Sequence, residues 1–204
     1  MVFGIPFVNH VMRLIIFATA QTVVYLFLVP IILATITYRT YVAVVSKLFR
    51  PDLDSFVTGL DTSFLGNTPE ESSTNVICCL VVNGNISEYR IREMFEERVI
   101  KLKDSKGDFV YKKLSQYWVR FYGYSFWKTD KSFNLSNHVR NYDYDNVITE
   151  KPTDEDKLKK AIEDILRTPW KSYQSHWELL VQYPFNRKSS SETIVPNQTL
   201  LIFR

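Results

Sequence analysis

Leu14 to Tyr38, LIIFATAQTVVYLFLVPIILATITY, decides how this chain is organised, because it runs between Arg13 and Arg39 without a charged residue. At about 1.5 Å per residue, a helix of this length reaches about 37 Å, more than the roughly 30 Å of hydrocarbon in a bilayer. Its 14 Leu, Ile, Phe and Val residues each favour insertion by about 0.3 to 0.6 kcal/mol, which outweighs its few polar residues. The stretch predicts a transmembrane helix over 14–38.

Pro30 lies past the middle of this span and removes one backbone hydrogen bond. We expect a kink there, with the freed carbonyl satisfied by Thr35, Thr37 or a neighbouring helix. A cleaved signal peptide is the competing interpretation, because Ala18-Thr19-Ala20 resembles a small-residue cleavage site. Cleavage there would leave a chain that still begins with a long apolar segment, so we expect an uncleaved anchor.

The basic residues around the span predict its orientation. Arg39, Lys47 and Arg50 follow it, whereas only Arg13 and the terminal amine precede it. The positive-inside rule therefore predicts that everything after residue 39 is cytoplasmic. The chain also contains three N-x-S/T sequons, at Asn85, Asn134 and Asn197. These would accept glycans if the body were luminal.

The composition predicts a membrane anchor over 1–50 and one domain over 51–204. Residues 1–50 contain four of the 25 basic residues and none of the 22 acidic ones, so the body is nearly neutral with 21 against 22. A nucleic-acid partner is not expected, because phosphate binding needs a basic face.

Cys78 and Cys79 are the only cysteines, and they are adjacent in an apolar run. Neighbours in a strand point to opposite faces and do not form an ordinary disulfide. We expect both to be buried as small hydrophobes in a reducing compartment. Two thiols and three scattered histidines have no recognisable zinc-ligand spacing, so no metal site is expected.

The region after the anchor predicts a first α/β unit. Thr40 to Phe49 either continues the helix or lies in the headgroup layer. Thr74 to Val82 is a consecutive apolar run before Asn83-Gly84, typical of a central strand covered on both faces. Ser87 then caps a helix with apolar residues at helical spacing, namely Ile91, Met94, Phe95, Val99 and Leu102.

The middle of the body is dense in aromatic residues. A loop is predicted over 104–108, a helix from Tyr111 to about Trp118, and then a strand to Trp127. Aromatic rows of this kind are typical of a core, and a ligand-lining role is the alternative.

Thr153 and Asp156 form a capping signature. The helix that follows ends at Pro169 and has apolar residues at Leu158, Ala161, Ile162, Ile165 and Leu166. His176–Tyr183 and Gln198–Phe203 are predicted strands, with a hairpin or longer loop over 186–192 between them. Interspersed helices and strands predict an α/β or α+β fold.

Several local patterns between residues 54 and 204 resemble the N-terminal part of the wax ester synthase/diacylglycerol acyltransferase family. Asp61-Thr62-Ser63-Phe64-Leu65 resembles the opening segment of that family. The stretch from Trp127 to Val139, with Phe133 and His138, is similar to its Trp, Phe-x-Leu-x-x-His-Val element. The helix over 158–166, Pro169 and then Trp177-Glu178 in a strand match its next block.

The resemblance implies one half of a chloramphenicol-acetyltransferase-like, coenzyme-A-dependent acyltransferase fold. The implied reaction transfers a fatty acyl group from acyl-coenzyme A to a long-chain alcohol or diacylglycerol, as in wax ester and triacylglycerol synthesis. No bound cofactor is expected, since acyl-coenzyme A is the substrate. The family's general base belongs to a His-His-x-x-x-Asp-Gly motif that these residues lack, and we expect it just after Arg204.

Six residues are candidates for a substrate channel by this resemblance, namely Asp61, Phe64, Trp127, Phe133, His138 and Trp177. From residue chemistry alone, Asp61 is predicted to cap a turn or helix, with a channel-facing role as the alternative by resemblance. His138 is predicted to be structural rather than a substitute base. Trp127 and Trp177 are predicted to be core. Glu178 is expected to be a solvated strand residue or, alternatively, half of a salt bridge.

The family resemblance also predicts the setting of the protein. We expect a single-pass protein of the endoplasmic reticulum with a cytoplasmic C-terminal domain. Its predicted partners are membrane lipid and the two substrates, with a homo-oligomer or a full-length enzyme as a further partner. The alternative function is a non-catalytic, membrane-tethered module that binds lipid or regulates such an enzyme.

Overall fold

The computed structural model describes residues 4–66, 68, 75–142, 151–188 and 194–204. The chain divides into two compact units, Met1–Pro51 and Asp52–Arg204. It is a mixed α/β chain with a long apolar N-terminal helix, as predicted. The predicted strand start at Thr74 and the loop residues 189–192 lie outside the described residues.

The first unit contains one continuous helix, α1 (Gly4–Phe49). At about 1.5 Å per residue its 46 residues extend about 69 Å, well beyond the predicted span of 14–38. Residues 40–49 continue the helix, which was the first of the two predicted alternatives. Met12–Phe49 is long and apolar enough to cross a membrane, with a mean hydropathy of 2.2 in its best window.

The threonine hydroxyls of α1 are satisfied within the helix. Thr19 and Thr37 donate to the carbonyls of Ile15 and Leu33, each at 2.8 Å. Thr35 donates to the carbonyl of Ile32. The carbonyl freed by Pro30 is that of residue 26, one turn before it. The prediction that Thr35 or Thr37 satisfies this carbonyl is therefore wrong, because both bond to carbonyls C-terminal to Pro30.

The described part of the second unit contains two sheets and two α-helices. The strands are β1 (Ser55–Phe56), β2 (Cys78–Asn83), β3 (Gln116–Phe121), β4 (Tyr124–Thr129), β5 (Val139–Asn141), β6 (Leu179–Lys188) and β7 (Ile194–Phe203). The helices are α2 (Glu88–Phe95) and α3 (Glu155–Arg167). One sheet has the order β1-β4-β3, and the other has the order β2-β7-β6-β5.

The four-stranded sheet separates two hydrophobic clusters. Successive residues of β6 point to opposite faces, so Leu180 packs with Ala161 and Ile165 of α3. Leu179 and Val181 pack on the other face with Ile91 of α2. The sheet is thereby covered by one helix on each side.

Strand β2 lies at an edge of this sheet, in contrast to the predicted central position. Among the described strands it pairs only with β7, antiparallel. Cys79 and Val81 pack against the core, whereas Leu80 is 56% exposed. The prediction that both cysteines are buried is wrong, because Cys78 is exposed and Cys79 is only partly buried. Consecutive apolar residues did not distinguish a strand covered on both faces from one with a single covered face.

Helix α2 begins as predicted but ends earlier. Ser87 accepts a hydrogen bond from the backbone of Arg90, as the predicted cap requires. The chain then widens into a π-helical turn, Glu96–Ile100, which shifts the inward face by one residue. As a result Ile91, Phe95 and Ile100 join the cluster, whereas the predicted core residue Leu102 is exposed.

The aromatic segment forms a hairpin, where a helix over 111–118 was predicted. A short 3₁₀ helix, Lys112–Ser115, leads directly into β3. Strands β3 and β4 are joined by Tyr122 and Gly123, whose φ angles are +48° and +77°. Two positive φ values in a two-residue loop are typical of the type I′ turn, whose twist matches that of a hairpin.

The last elements differ from the prediction mainly at their ends. Asp154, rather than Thr153, caps α3 by accepting from the backbone of Asp156 and Lys157. Helix α3 ends at Arg167, before Pro169. Strand β6 begins only at Leu179, so the predicted strand residues 176–178 precede it.

Candidate functional site

An aromatic cleft of about 330 Å³ lies in the second unit. The chain has four tryptophans, and all of them line this cleft, namely Trp118, Trp127, Trp170 and Trp177. Trp118 and Trp127 stand directly opposite each other on β3 and β4. Phe64, Val76 and Phe203 add further apolar surface to its wall. We call this feature the tryptophan cleft.

Four of the six predicted channel residues line this cleft, and the other two lie behind it. Asp61, Phe64, Trp127 and Trp177 line it directly. His138 stacks on Trp177 with ring centroids 4.7 Å apart, and Phe133 stacks on His138 at 5.1 Å. Phe133 and His138 therefore form a second layer behind Trp177.

Asp61 forms an ion pair with Lys113 at the rim of the tryptophan cleft. It lies within the 3₁₀ helix Gly59–Phe64, whose N-cap is Thr58, so Asp61 is not the cap of that helix. Its carboxylate accepts a hydrogen bond from Lys113 Nζ at 2.5 Å. Lys113 Nζ also lies 5.6 Å from the ring centroid of Trp127. Both partners are partly exposed, so the pair contributes at most about 1 kcal/mol and mainly orients Lys113.

His138 is buried and fixed in one tautomer. Its Nδ1 lies 2.8 Å from the carbonyl oxygen of Trp177, and a carbonyl can only accept, so Nδ1 carries the proton. Nε2 therefore presents its lone pair to Ser175 Oγ, 3.4 Å away. Burial lowers the pKa of His138, and the hydrogen bond to Trp177 opposes this only in part. This 4% exposed imidazole does not line the cleft and contacts Trp177 both by stacking and through its Nδ1 hydrogen bond.

Trp177 is at once a core residue and part of the cleft wall. It is buried, and its Nε1–H donates to the carbonyl of Leu114 at 2.7 Å. Phe95 stacks on it at 5.2 Å, from α2. Trp127 was also predicted to be core, but it is only half-buried and lines the cleft.

Glu178 is buried and ion-paired, so the prediction of a solvated strand residue is wrong. Its carboxylate oxygens lie 3.2 Å from Arg140 Nη2 and 3.5 Å from Arg204 Nη1. The backbones of Glu178 and Arg204 also exchange two hydrogen bonds, of 3.0 and 2.9 Å. The guanidinium of Arg204 lies 3.9 Å from the ring centroid of Trp170. This arrangement fixes Trp170 at one end of the cleft.

Lys113, Trp118, Trp170 and Arg204 are cleft residues that the sequence did not single out. For Trp118 a signal was available, because Tyr122-Gly123 lies midway between Trp118 and Trp127 and places them opposite each other in a hairpin. Lys113 and Arg204 reach the cleft only through tertiary packing. Within the described ranges, His, Cys, Asp and Glu form no group of three or more that could hold a metal ion.

Comparison with known proteins gives no relative for this chain. No family model, no curated protein and no solved structure matches it.

Proposed function

We propose that this chain is a membrane-anchored lipid-binding half of a coenzyme-A-dependent O-acyltransferase of the wax ester synthase/diacylglycerol acyltransferase type. The second unit would correspond to one half of a chloramphenicol-acetyltransferase-like fold. The observation that carries the proposal is that all four tryptophans line one cleft. The six residues selected by family resemblance also lie at that cleft or directly behind it.

The size and lining of the tryptophan cleft suit an apolar chain. Ligand pockets commonly enclose about 300 to 1,000 Å³ and have mostly apolar walls with a few polar groups. Burying about eight methylene groups would stabilise a complex by about 6 kcal/mol before binding costs. The rim pair of Asp61 and Lys113 leaves polar atoms for the head of such a lipid.

The anchor suits substrates that dissolve in a bilayer. A fatty acyl chain and a long-chain alcohol or diacylglycerol both partition there, so tethering shortens their path to the cleft. By the positive-inside rule and family resemblance, we place the second unit on the cytoplasmic face of the endoplasmic reticulum. Glycosidase-sensitive mobility of the expressed chain, through Asn85, Asn134 or Asn197, would reverse that orientation.

Catalysis of the proposed reaction requires a general base. In the proposed reaction the acceptor hydroxyl attacks the acyl thioester while a histidine removes its proton. The acyl C–S bond then breaks, and coenzyme A leaves as the thiol after it takes up that proton. The family's His-His-x-x-x-Asp-Gly motif is absent from the sequence, and His138 is engaged at both ring nitrogens. We therefore expect binding without turnover when this chain is incubated with labelled acyl-coenzyme A and a long-chain alcohol.

A non-catalytic lipid-binding or regulatory module is the second candidate. The enclosed position of His138 favours it, since this histidine does not line the cleft and both of its ring nitrogens are engaged. Reading the transcript beyond Arg204 separates the two functions. A His-His-x-x-x-Asp-Gly continuation supports the enzyme, and a stop codon supports the module.

The tryptophans provide a direct test of lipid binding. The full chain in nanodiscs is titrated with a long-chain alcohol brominated along its chain, since bromine quenches tryptophan emission on contact. We expect saturable quenching that an unbrominated alcohol reverses. Phe64→Asp, which places a charge in the cleft wall, should weaken the apparent affinity at least several-fold.

Tyr89→Asp is the matched control, because Tyr89 is exposed on α2 and does not line the tryptophan cleft. It should quench like the unmodified chain. Linear, non-saturable quenching that is equal in both variants would contradict the proposal, because it would report only alcohol dissolved in the bilayer.

A further inference from the structure

Residues 101–113 form an exposed loop that carries large apolar side chains. Every residue in this range is exposed. Leu102, Phe109, Val110 and Tyr111 are each between 41% and 51% exposed. Scattered exposed apolar residues are ordinary, but a contiguous group marks an interaction site.

The loop is held in a defined shape. The backbone N–H of Val110 donates to the carbonyl of Leu102 at 3.0 Å, which closes the loop at its base. At the tip, Asp104 Oδ1 accepts from the backbones of Lys106 and Asp108 at 2.8 and 3.0 Å. Gly107 there has a φ of +89°, which a residue with a side chain rarely adopts. The apolar side chains are thus presented by an ordered turn.

Lysines are interleaved with these apolar side chains. The segment contains five lysines against Asp104 and Asp108. Lys103 Nζ lies 4.9 Å from the ring centroid of Phe109. Lys101, Lys112 and Lys113 pair with Glu96, Asp54 and Asp61, respectively. These three pairs are largely solvent-exposed and weak, so the lysines can exchange partners.

A second apolar segment adjoins the loop at the rim of the tryptophan cleft. The contact between Lys113 and Asp61 joins the loop to the 3₁₀ helix Gly59–Phe64. On that helix Leu60 is 81% exposed and Phe64 is 50% exposed. Phe64 and Lys113 both line the tryptophan cleft. We call residues 101–113 together with Leu60 and Phe64 the lysine-aromatic surface.

We infer that the lysine-aromatic surface docks onto the surface of an anionic lipid bilayer. Aromatic and aliphatic side chains of this kind bury at the boundary between headgroups and acyl chains. A lysine near an anionic leaflet contributes about 1 kcal/mol of attraction, and Lys103 and Lys106 lie outside the three ion pairs that balance Lys101, Lys112 and Lys113. Helix α1, which is long and apolar enough to span a membrane, ends at Phe49, and the second unit begins at Asp52. The unit that carries this surface therefore follows α1 in the chain after only two residues.

This docking goes beyond the proposed function, because it concerns the bilayer surface and not the occupant of the cleft. It would bring the rim of the tryptophan cleft to the level at which lipids enter. The docking inference is also independent of the proposed acyl transfer, because a surface can dock on a bilayer whether or not the cleft binds an acyl acceptor.

A fluorophore on the loop tests the docking. In the full chain with Cys78→Ser and Cys79→Ser, Val110→Cys is labelled with the environment-sensitive dye NBD. In nanodiscs that contain phosphatidylserine, we expect blue-shifted emission and at least several-fold protection from iodide. Lys159→Cys on α3 is the matched control, because Lys159 is highly exposed and distant in sequence from the surface. It should remain quenchable.

Two further arms make the result decisive. Nanodiscs of phosphatidylcholine alone, or Lys103→Glu with Lys106→Glu, should reduce the protection, because both remove the charge complementarity. Equal quenching at positions 110 and 159 in anionic nanodiscs would overturn the inference. Protection that appears in detergent and rises with protein concentration would also overturn it, in favour of a second copy as the partner. Neither result depends on alcohol binding in the cleft, which the tryptophan quenching measures separately.

Discussion

Helix α1 and the lysine-aromatic surface both expose large apolar side chains, but the two regions differ in the charged residues that lie between those side chains. Every residue of α1 from 12 to 41 is exposed, and no charge occurs between Arg13 and Arg39. In the surface, apolar residues alternate with lysines. The first pattern suits the hydrocarbon core of a bilayer, and the second suits its headgroup boundary.

The two regions also satisfy their polar groups differently. In α1 the threonine hydroxyls bond within one helical turn, as Thr19 does to Ile15. In the second unit the decisive bonds join distant segments, such as Trp177 to Leu114 and Arg140 to Glu178. The threonine hydroxyls of α1 therefore need no partner outside the helix, whereas the tryptophan cleft depends on tertiary packing.

The largest expected effect comes from placing charge in α1. Val24→Arg with Leu28→Arg adds about 2.5 to 3.5 kcal/mol of insertion cost per arginine. We expect most of the chain to leave the carbonate-resistant membrane fraction. Tyr89→Arg, at an exposed position of the second unit, should not change that fraction. A double variant that stays fully carbonate-resistant would contradict a membrane-spanning α1.

The next effect tests the tertiary ion pairs that fix Trp170. Glu178→Gln leaves the buried guanidinium of Arg204 without its carboxylate and should lower the free energy of unfolding by about 3 kcal/mol. Glu163→Gln removes the exposed pair with Arg167 and should cost less than about 0.5 kcal/mol. Urea titrations followed by tryptophan emission would measure both. Similar losses in the two variants would mean that Glu178 is not buried.

His138 should make the second unit sensitive to acid. Because burial lowers its folded-state pKa below the ordinary value of 6.5, the unfolded chain binds the proton more readily. Stability is therefore fully present above pH 6.5 and is lost as the pH falls below that value. His138→Gln, whose amide can still donate to Trp177, should flatten this part of the stability profile. An unchanged slope in the variant would assign the acid sensitivity to other groups.

The smallest expected effect distinguishes two capping residues. Asp154→Ala removes the acceptor for Asp156 and Lys157 and should destabilise by about 1 kcal/mol. The hydrogen bond from the backbone of Lys157 also lowers the pKa of Asp154, so the benefit of the cap should fade in acid. Thr153→Ala should have little effect, since Thr153 does not cap α3. Equal losses would restore Thr153 as the cap.

The sequence predicted the elements that local chemistry determines. The uncharged run of α1, the Ser87 cap and the apolar spacing of α3 each act within a few residues, so periodicity was sufficient to find them. The hairpin of β3 and β4 was missed because Tyr122 adopts a positive φ that is unusual for tyrosine. The edge position of β2 depends on pairing with a strand more than a hundred residues away.

The candidate site was predicted only in part, because long-range contacts place several of its residues. Family resemblance selected Asp61, Trp127 and Trp177, and the fold places all three in one cleft wall. Lys113 and Arg204 carried no sequence signal, because their positions follow from contacts with Asp61 and Glu178. Charge pairing across a fold is not periodic, so no local pattern encodes it.

The most direct test of the account is photocrosslinking of a bilayer-dissolved lipid to the full chain in nanodiscs. A long-chain alcohol with a diazirine near its end should label peptides around Trp118 to Trp127 and Trp170 to Trp177, in addition to α1. Excess unmodified alcohol should abolish the labelling of the cleft peptides but not that of α1, which we expect to contact bulk lipid. Labelling confined to α1, or cleft labelling that no competitor reduces, would contradict the claim that the tryptophan cleft binds a lipid chain.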